Sequence, residues 1–482
     1  MIQKHTPEIV RPELIAYKWK AVTTVSLSIL MVTMDFSINN IAFPILTKVF
    51  GAGITTIIWV SLAYTLSSTS LLLVLGRIGD LMGRKRILAS GMAIFAFGLL
   101  ICSVAQGIGQ LITFRIIQGV GAAMAISCGT AIVTESFPPE ERGKGLGIIG
   151  IAVAGGLVLG PVVGGLLLQW FDWRSIYYTR IPVGLFALIM TMVLLKKDTG
   201  IEGKLKIDFL GILTSSIGIA CIIFGVSQIK GLAFQSVLVP SMIGIGILCI
   251  IAFIFIERRA KDPIVDLTLF RSMVFSCNIC ALFLIFVSYP VFHLIMPFCL
   301  IQAIGMSTSS AGLMMTIPNV ASIIFSPISG SLSDRFGPVW FATLGAIVNV
   351  ISLLMMRCFD LQTSIAFMIP TMFLFGAGSG MFQSPNNSTI MGTVPKNRYG
   401  TTSALIALCR QVGISLGMAL TGTIFSLQRG VHQAALNNSG MDAVDGTRHS
   451  IPLAFHDVLI FSIAIASISI LLSLFNEKRR SN

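Results

Sequence analysis

The chain has 482 residues, of which 55% are hydrophobic and only 11% charged, and its mean hydropathy is +0.89. A water-soluble chain carries about 25% charged residues, so the polar surface needed to cover a soluble particle of this length is missing and lipid is the expected solvent. The net charge of +13 sits on alternate connections between apolar runs, which is a topology pattern and excludes nucleic acid as an expected partner.

A helix needs ~20 apolar residues to cross ~30 Å of hydrocarbon. In chain order the runs that meet this are 20–45, 54–76, 87–106, 109–135, 145–168, 175–196, 208–228, 237–256, 274–300, 309–331, 340–357, 364–391, 402–427 and 456–475. They are long and continuous rather than alternating, which favours helices over a barrel. A full-length span follows the basic N-terminus, so no cleavable signal is expected.

Lys and Arg crowd every second connection: the N-terminal tail, Arg77/Arg84/Lys85/Arg86, Arg142/Lys144, Lys196/Lys197/Lys204/Lys206, Arg258/Arg259/Lys261/Arg271, Arg335, Lys396/Arg398 and Lys478/Arg479/Arg480. The intervening connections hold only Lys48, Arg174, Lys230, Arg357, Arg429 and Arg448. The positive-inside rule then puts both termini in the cytoplasm of a plasma membrane, with a bacterial source expected. Trp19, Trp59, Trp170, Trp173 and Trp340 fall near span ends, as an interfacial belt requires. The longest outside connection is read as 428–455.

A charged, glycine-punctuated stretch occurs twice, at Gly76–Arg86 and at Gly330–Gly337, and each is followed two spans later by a Pro/Arg/Gly stretch, Pro139–Gly143 and Pro395–Gly400. This correspondence predicts an all-α integral membrane fold: two six-helix bundles with pseudo-twofold symmetry plus two inserted helices, fourteen transmembrane helices in all. The expected divisions are a cytoplasmic tail 1–18, an N-terminal bundle 19–197, linkers with the two inserted helices 198–273, a C-terminal bundle 274–475 and a tail 476–482. Parallel six-span repeats with a site between them describe a secondary transporter.

Gly76-Arg77-Ile78-Gly79-Asp80-Leu81-Met82-Gly83-Arg84-Lys85 resembles the loop signature of the major facilitator superfamily. Asp35–Pro44 is similar to the first-span motif of its fourteen-span drug:proton antiporters, Leu111–Gly119 to the fourth-span arginine motif and Gly156–Gly165 to the fifth-span antiporter motif. The resemblance extends to Arg410-Gln411-Val412-Gly413 and covers essentially the whole chain. It implies proton-coupled export of amphipathic compounds, and a gating role for Gly76, Asp80, Gly83, Arg84 and Lys85, with Asp334 and Arg335 as a weaker copy.

Asp35 lies about sixteen residues into the first run. A mid-membrane carboxylate costs roughly 2.5–3.5 kcal/mol on insertion scales, which makes it a functional candidate by default. It reads either as the proton-coupling group, tuned by Arg115, or as half of a structural ion pair. Asn39, Asn40 and Gln118 are candidate cavity hydrogen-bonders or interhelical contacts. Gly156, Gly160 and Gly164 share one helix face beside Pro161, which suits a hinge and close contact between the halves. Arg180 stands where the family has an asparagine, and with Arg115 and Arg410 it outnumbers the deep acid. That leans the substrate toward a neutral or anionic molecule, unless Arg180 snorkels outward. His293 and Asn386 complete the candidate cavity, with packing as the alternative for both.

The nine cysteines lie almost entirely in apolar runs, and Cys277-x-x-Cys280 has no second ligand pair, so neither a disulfide framework nor a metal site is expected. Gly413-Ile414-Ser415-Leu416-Gly417 falls inside a predicted helix rather than a strand–turn–helix elbow. No P-loop or soluble domain is present. The reading is therefore a transporter rather than an enzyme, with a small-molecule substrate, protons and the lipid bilayer as partners and no cofactor. Uptake or exchange of a neutral or anionic metabolite, such as a riboflavin-like vitamin, is the rival.

Overall fold

The structure, a computed structural model, describes residues 12–138, 141–196, 209–228, 237–259, 267–395 and 398–475. Lys4, His5, Arg11, Lys197, Lys204, Lys206, Lys230, Lys261, Lys396 and the Lys478–Arg480 cluster, together with Pro139, Glu140 and Asn397, lie outside those residues.

The described chain is helical. The principal helices are α1 (Pro12–Phe50), α2 (Trp59–Met82), α3 (Arg84–Ser103), α4 (Ile108–Ser136), α5 (Arg142–Trp170), α6 (Ile181–Leu194), α7 (Phe209–Ser227) and α8 (Leu238–Arg259). They are followed by α9 (Met273–Ser288), α10 (Thr308–Phe336), α11 (Pro338–Met356), α12 (Ile365–Gly392), α13 (Tyr399–Asn438) and α14 (Ala443–Phe475). Among the described residues 13 helices are long and apolar enough to cross a membrane, and α7 adds a shorter apolar stretch, Leu213–Ser227. Such elements need every backbone group satisfied internally, which a helix does without a neighbour. Serine side chains finish the job at exposed starts: Ser272, Ser307 and Ser364 accept from the backbone N–H of Phe275, Ser310 and Ala366.

Four departures from the sequence reading bear on the architecture. The repeated charged stretches are almost entirely helix: α2 runs to Met82 and α10 to Phe336, and each reversal is a single glycine, Gly83 at φ 95° and Gly337 at φ 94°. Only glycine takes that backbone cheaply. The sixth run is broken, with a one-turn helix Ser175–Tyr178 ahead of α6. The ninth continues past α9 through two π-helical turns, Val291–Ile295 and Cys299–Ala303. The 428–455 connection is a helical hairpin, because α13 continues to Asn438 and α14 begins at Ala443.

The first six helices pack together, α1 along α5 and α4 between α2 and α3, and α9 to α14 form a second group. The pair α7–α8 packs against itself, and α7 also lies against α2 of one group and α13 of the other. Two hydroxyls fix that straddle: Ser216 Oγ donates to Ser70 O at 3.0 Å and Thr423 Oγ1 to Val226 O at 3.2 Å.

The small-residue face of α5 corrects an expectation. Gly156, Gly160 and Gly164 press against α1 of their own group, where an added Cβ on Gly156 would stand 2.8 Å from Leu30 O and one on Gly164 2.6 Å from Ile38. The seam between the groups uses the adjoining face. Thr308 Oγ1 donates to Gly165 O at 2.9 Å, Asn319 Nδ2 to Leu157 O at 3.1 Å, and Gly312 abuts Pro161 O. The tryptophan belt is partial: Trp19, Trp170 and Trp340 are exposed, whereas Trp173 is buried against Phe50 and Tyr177.

Candidate functional site

Asp35 sits in the interior of α1 and is fully buried. Its Oδ2 accepts from Arg115 Nη1 on α4, and its Oδ1 accepts from Gln118 Nε2 at 3.0 Å. Arg180, at the junction that starts α6, places Nη1 2.6 Å from the same Oδ1. One carboxylate is therefore held by two guanidinium groups, all three buried. Arg180 does not snorkel outward. The break in the sixth run turns its side chain in, and Arg180 Nε donates to Ile176 O at 2.5 Å.

Each cation is fixed from behind. Arg115 Nε donates to Val60 O at 2.9 Å, its Nη1 reaches Gln118 Oε1 at 2.6 Å, and the guanidinium lies 4.1 Å from the Tyr64 ring centre. Asn39 Nδ2 donates to Asp35 O at 2.7 Å while its Oδ1 accepts from Tyr177 OH at 2.7 Å. Asn40 is buried with its Oδ1 unpartnered among the described residues.

Glycines set the spacing. A Cβ on Gly119 would meet Tyr64 O at 2.6 Å, and one on Gly98 the Gln118 side chain at 2.6 Å. These close approaches bring α2 and α3 onto α4, which sets the Tyr64 ring against the Arg115 guanidinium. Tyr64, Tyr177 and the Val60 carbonyl were absent from the sequence reading. Tyr177, one turn before Arg180, had a spacing signal; Tyr64 had none.

The remaining candidates do not join this cluster through any hydrogen bond or ion pair among the described residues. His293 is buried in the first π-helical turn, stacked on Tyr289 at 4.2 Å, with Phe292 stacked on Phe375 at 5.3 Å. Asn386 is buried and its Nδ2 donates to Asn278 O at 3.3 Å inside the second group. Arg410 is exposed on α13. A cavity of about 570 Å³ opens elsewhere, between α2, α4 and α7, lined by Trp59, Ser67, Ile116, Phe224 and Gln228 among others.

At the glycine turn, Arg84 Nε donates to Asp80 Oδ1 at 2.8 Å and Arg84 Nη1 lies 2.5 Å from Glu135 Oε1 on α4. Lys85 Nζ donates to Met192 O at 2.8 Å and Leu195 O at 2.5 Å. These contacts stay within the first helix group. Arg335 of the second copy is exposed, and the Asp334 side chain is outside the described set. Gly76 is half-buried in α2 with Ser127 beside it. Nearby, Lys18 pairs with Glu141, whose carboxyl it holds below the ordinary value.

Residues 25–418 match the model of the Major Facilitator Superfamily. The chain is 32% identical over 413 residues to the riboflavin transporter RibZ of Clostridioides difficile, covering 85% of this chain and 88% of that protein. It is 28% identical over 401 residues to the multidrug resistance protein Stp of Mycobacterium tuberculosis, covering 83% and 74%. Among solved structures, a bacterial homologue of the human lysosomal transporter Spinster, inward-facing and unoccupied, aligns with a TM-score of 0.69 at 15% identity, covering 97% of this chain and 98% of that one.

Proposed function

The chain belongs to the Major Facilitator Superfamily, and from that premise we propose that it exports a small amphipathic molecule across the plasma membrane by alternating access, driven by protons that bind Asp35. One observation carries the reading: a carboxylate buried inside a membrane helix and held by two arginines from other elements. Protonation removes the negative charge that both guanidinium groups grip. The grip weakens, and α4 and the α6 junction are released together. Deprotonation on the other side restores it. A charge change of one at a buried site biases a two-state bundle because the two states differ in how they solvate it.

The gate follows the same logic. The seam contacts Thr308–Gly165 and Gln302–Pro44 lie toward the helix ends that the charge pattern assigns to the outside, Asn319–Leu157 lies near mid-helix, and the Asp80–Arg84–Glu135 contacts stay within one group. This arrangement fits a state closed outside. In the alternate state Gly76–Lys85 and the Asp334–Arg335 copy would meet across the cytoplasmic side, with Pro161 and its glycines serving α5 as the hinge against α1. Both termini are then cytoplasmic.

The test is transport in proteoliposomes. Asp35→Asn removes the titrating group at constant shape, so pH-gradient-driven transport is lost while substrate binding stays measurable. Undiminished gradient-driven transport by the variant would refute the assignment.

A second reading has its own support. The 32% identity to a protein named as a riboflavin transporter, and the stacked Tyr289, His293, Phe292 and Phe375 rings, favour uptake of a planar vitamin. Rescue of a riboflavin-auxotrophic host on trace vitamin, without drug resistance in a susceptible host, selects it.

A further inference from the structure

Asp35 does not neutralise its own surroundings. Two guanidinium groups, Arg115 and Arg180, face one carboxylate, which leaves one positive charge. Arg115 is 0% exposed and Arg180 3%. The other groups that touch them, Gln118, Ile176 O, Val60 O and the Tyr64 and Tyr177 rings, are neutral. Among the described residues neither arginine pairs with a second carboxylate, and each retains a buried Nη2 that nothing accepts from. Arg180 also occupies the N-cap position of α6, whose first turn is the positive end of the helix dipole.

A buried cation with unsatisfied donors is a costly arrangement in a membrane span, and it persists only where something completes it. The completing chemistry is one negative charge together with acceptor atoms for the two unpartnered guanidinium Nη2 groups. We infer that Arg115 and Arg180 form a monoanion site, filled in the working protein either by the acidic group of the organic substrate or by an inorganic halide. The site deepens the reading of the Asp35 cluster as the centre of transport and rests on it. It also gives Arg180 a task that a structural pair with Asp35 does not need, because Arg115 alone balances that carboxylate.

The cycle then has two negative partners for two arginines. With the anion bound and Asp35 ionised, the cluster is neutral. Protonating Asp35 leaves the cluster with one excess positive charge, which tightens its hold on the anion. Proton and anion therefore favour each other's binding, which is the linkage of cotransport. An acidic substrate in this site belongs to the uptake reading, and an inorganic anion that stays bound is compatible with export.

The experiment uses the purified full-length protein in HEPES alone, titrated separately with sodium benzoate and sodium chloride while the thermal midpoint is followed. The expected result is a saturable rise in midpoint. Arg180→Gln abolishes it, and Arg180→Lys, which keeps the charge but loses the fork, raises the half-saturating concentration about tenfold or more. Arg174→Gln, a change on the same side of the membrane outside the cluster, leaves it intact. Saturation by benzoate alone identifies the substrate's acidic group as the source; saturation by chloride as well identifies an inorganic ion. No saturable rise with either anion, or an equal rise in the Arg180 variants, overturns the site. If Arg180→Gln fails to fold, the Arg180→Lys titration decides alone. Anion binding without gradient-driven transport would sink the proposed function and leave this site standing, and transport without anion binding would do the reverse.

Discussion

Arg180 Nη1 and Asp35 Oδ1 stand 2.6 Å apart inside the first helix group, while Arg115 holds the other carboxylate oxygen, Oδ2. The cluster therefore carries more positive than negative charge, and truncations should rank by the charge they leave. Asp35→Ala leaves two buried cations and should be the worst, near the ~3–5 kcal/mol typical of breaking a buried pair. Arg180→Ala leaves a neutral Asp35–Arg115 pair and should be close to neutral or stabilising. Arg115→Ala falls between, because it also empties the stack on Tyr64. Thermal midpoints of the three variants, at matched pH and without added substrate, check the order. If Arg180→Ala is the most damaging, the charge argument is wrong.

Gly119 controls whether the cluster assembles at all. A Cβ there would lie 2.6 Å from Tyr64 O, and a backbone carbonyl in a packed helix has little room to yield. Gly119→Val should push α2 off α4 and withdraw Tyr64 and the Val60 carbonyl from Arg115, at the cost of overpacking, typically 1–3 kcal/mol or more. The readout is the yield of monodisperse protein together with its thermal midpoint. Gly109→Val provides the control, since a Cβ on Gly109 meets nothing. Equal behaviour of the two variants would count against the close-packing account.

The seam between the groups makes a different prediction. Gly312 abuts Pro161 O and Thr308 Oγ1 donates to Gly165 O. Gly312→Val should hold the groups apart on that side without unfolding either. In a background lacking native cysteines, Thr308→Cys should then react faster with a membrane-impermeant maleimide applied from outside than it does with Gly312 present. An unchanged labelling rate would mean that this contact is not what closes the outer side.

Much of this was legible before the fold was known. Spans follow from length and hydropathy because lipid leaves a chain few options, and Asp35 declares itself because a carboxylate is costly there. Arg115 and Gln118 were readable by depth and by i,i+3 spacing. The rest depends on where helices end and turn. Arg180 was ambiguous because its direction is set by a break between Tyr178 and Ile181 that hydropathy does not register. Tyr64 was silent because an aromatic residue in a membrane helix has the same signature whether it packs or stacks on a cation. The glycine stripe of α5 packs against α1 of its own group and not across the seam. Small-residue spacing says that another helix comes close, and says nothing about which one.

The last prediction concerns pH outside the spans. The Lys18 ammonium holds the Glu141 carboxyl below its ordinary value, and the pair ties the start of α1 to the start of α5. A carboxyl whose value is lower in the folded state binds fewer protons there than in the unfolded chain. Its contribution is thus complete above the unfolded value, about 4.3 for glutamate, and fades as pH falls through the lower folded value. The difference in thermal midpoint between the wild-type protein and Glu141→Gln should be flat from about pH 7 to 5 and shrink below ~4. It should also be small and reduced by salt, because Glu141 is solvent-accessible. A difference that grows on acidification would have the wrong sign for a carboxylate stabilised by Lys18, and would point instead to a group that gains a proton on folding.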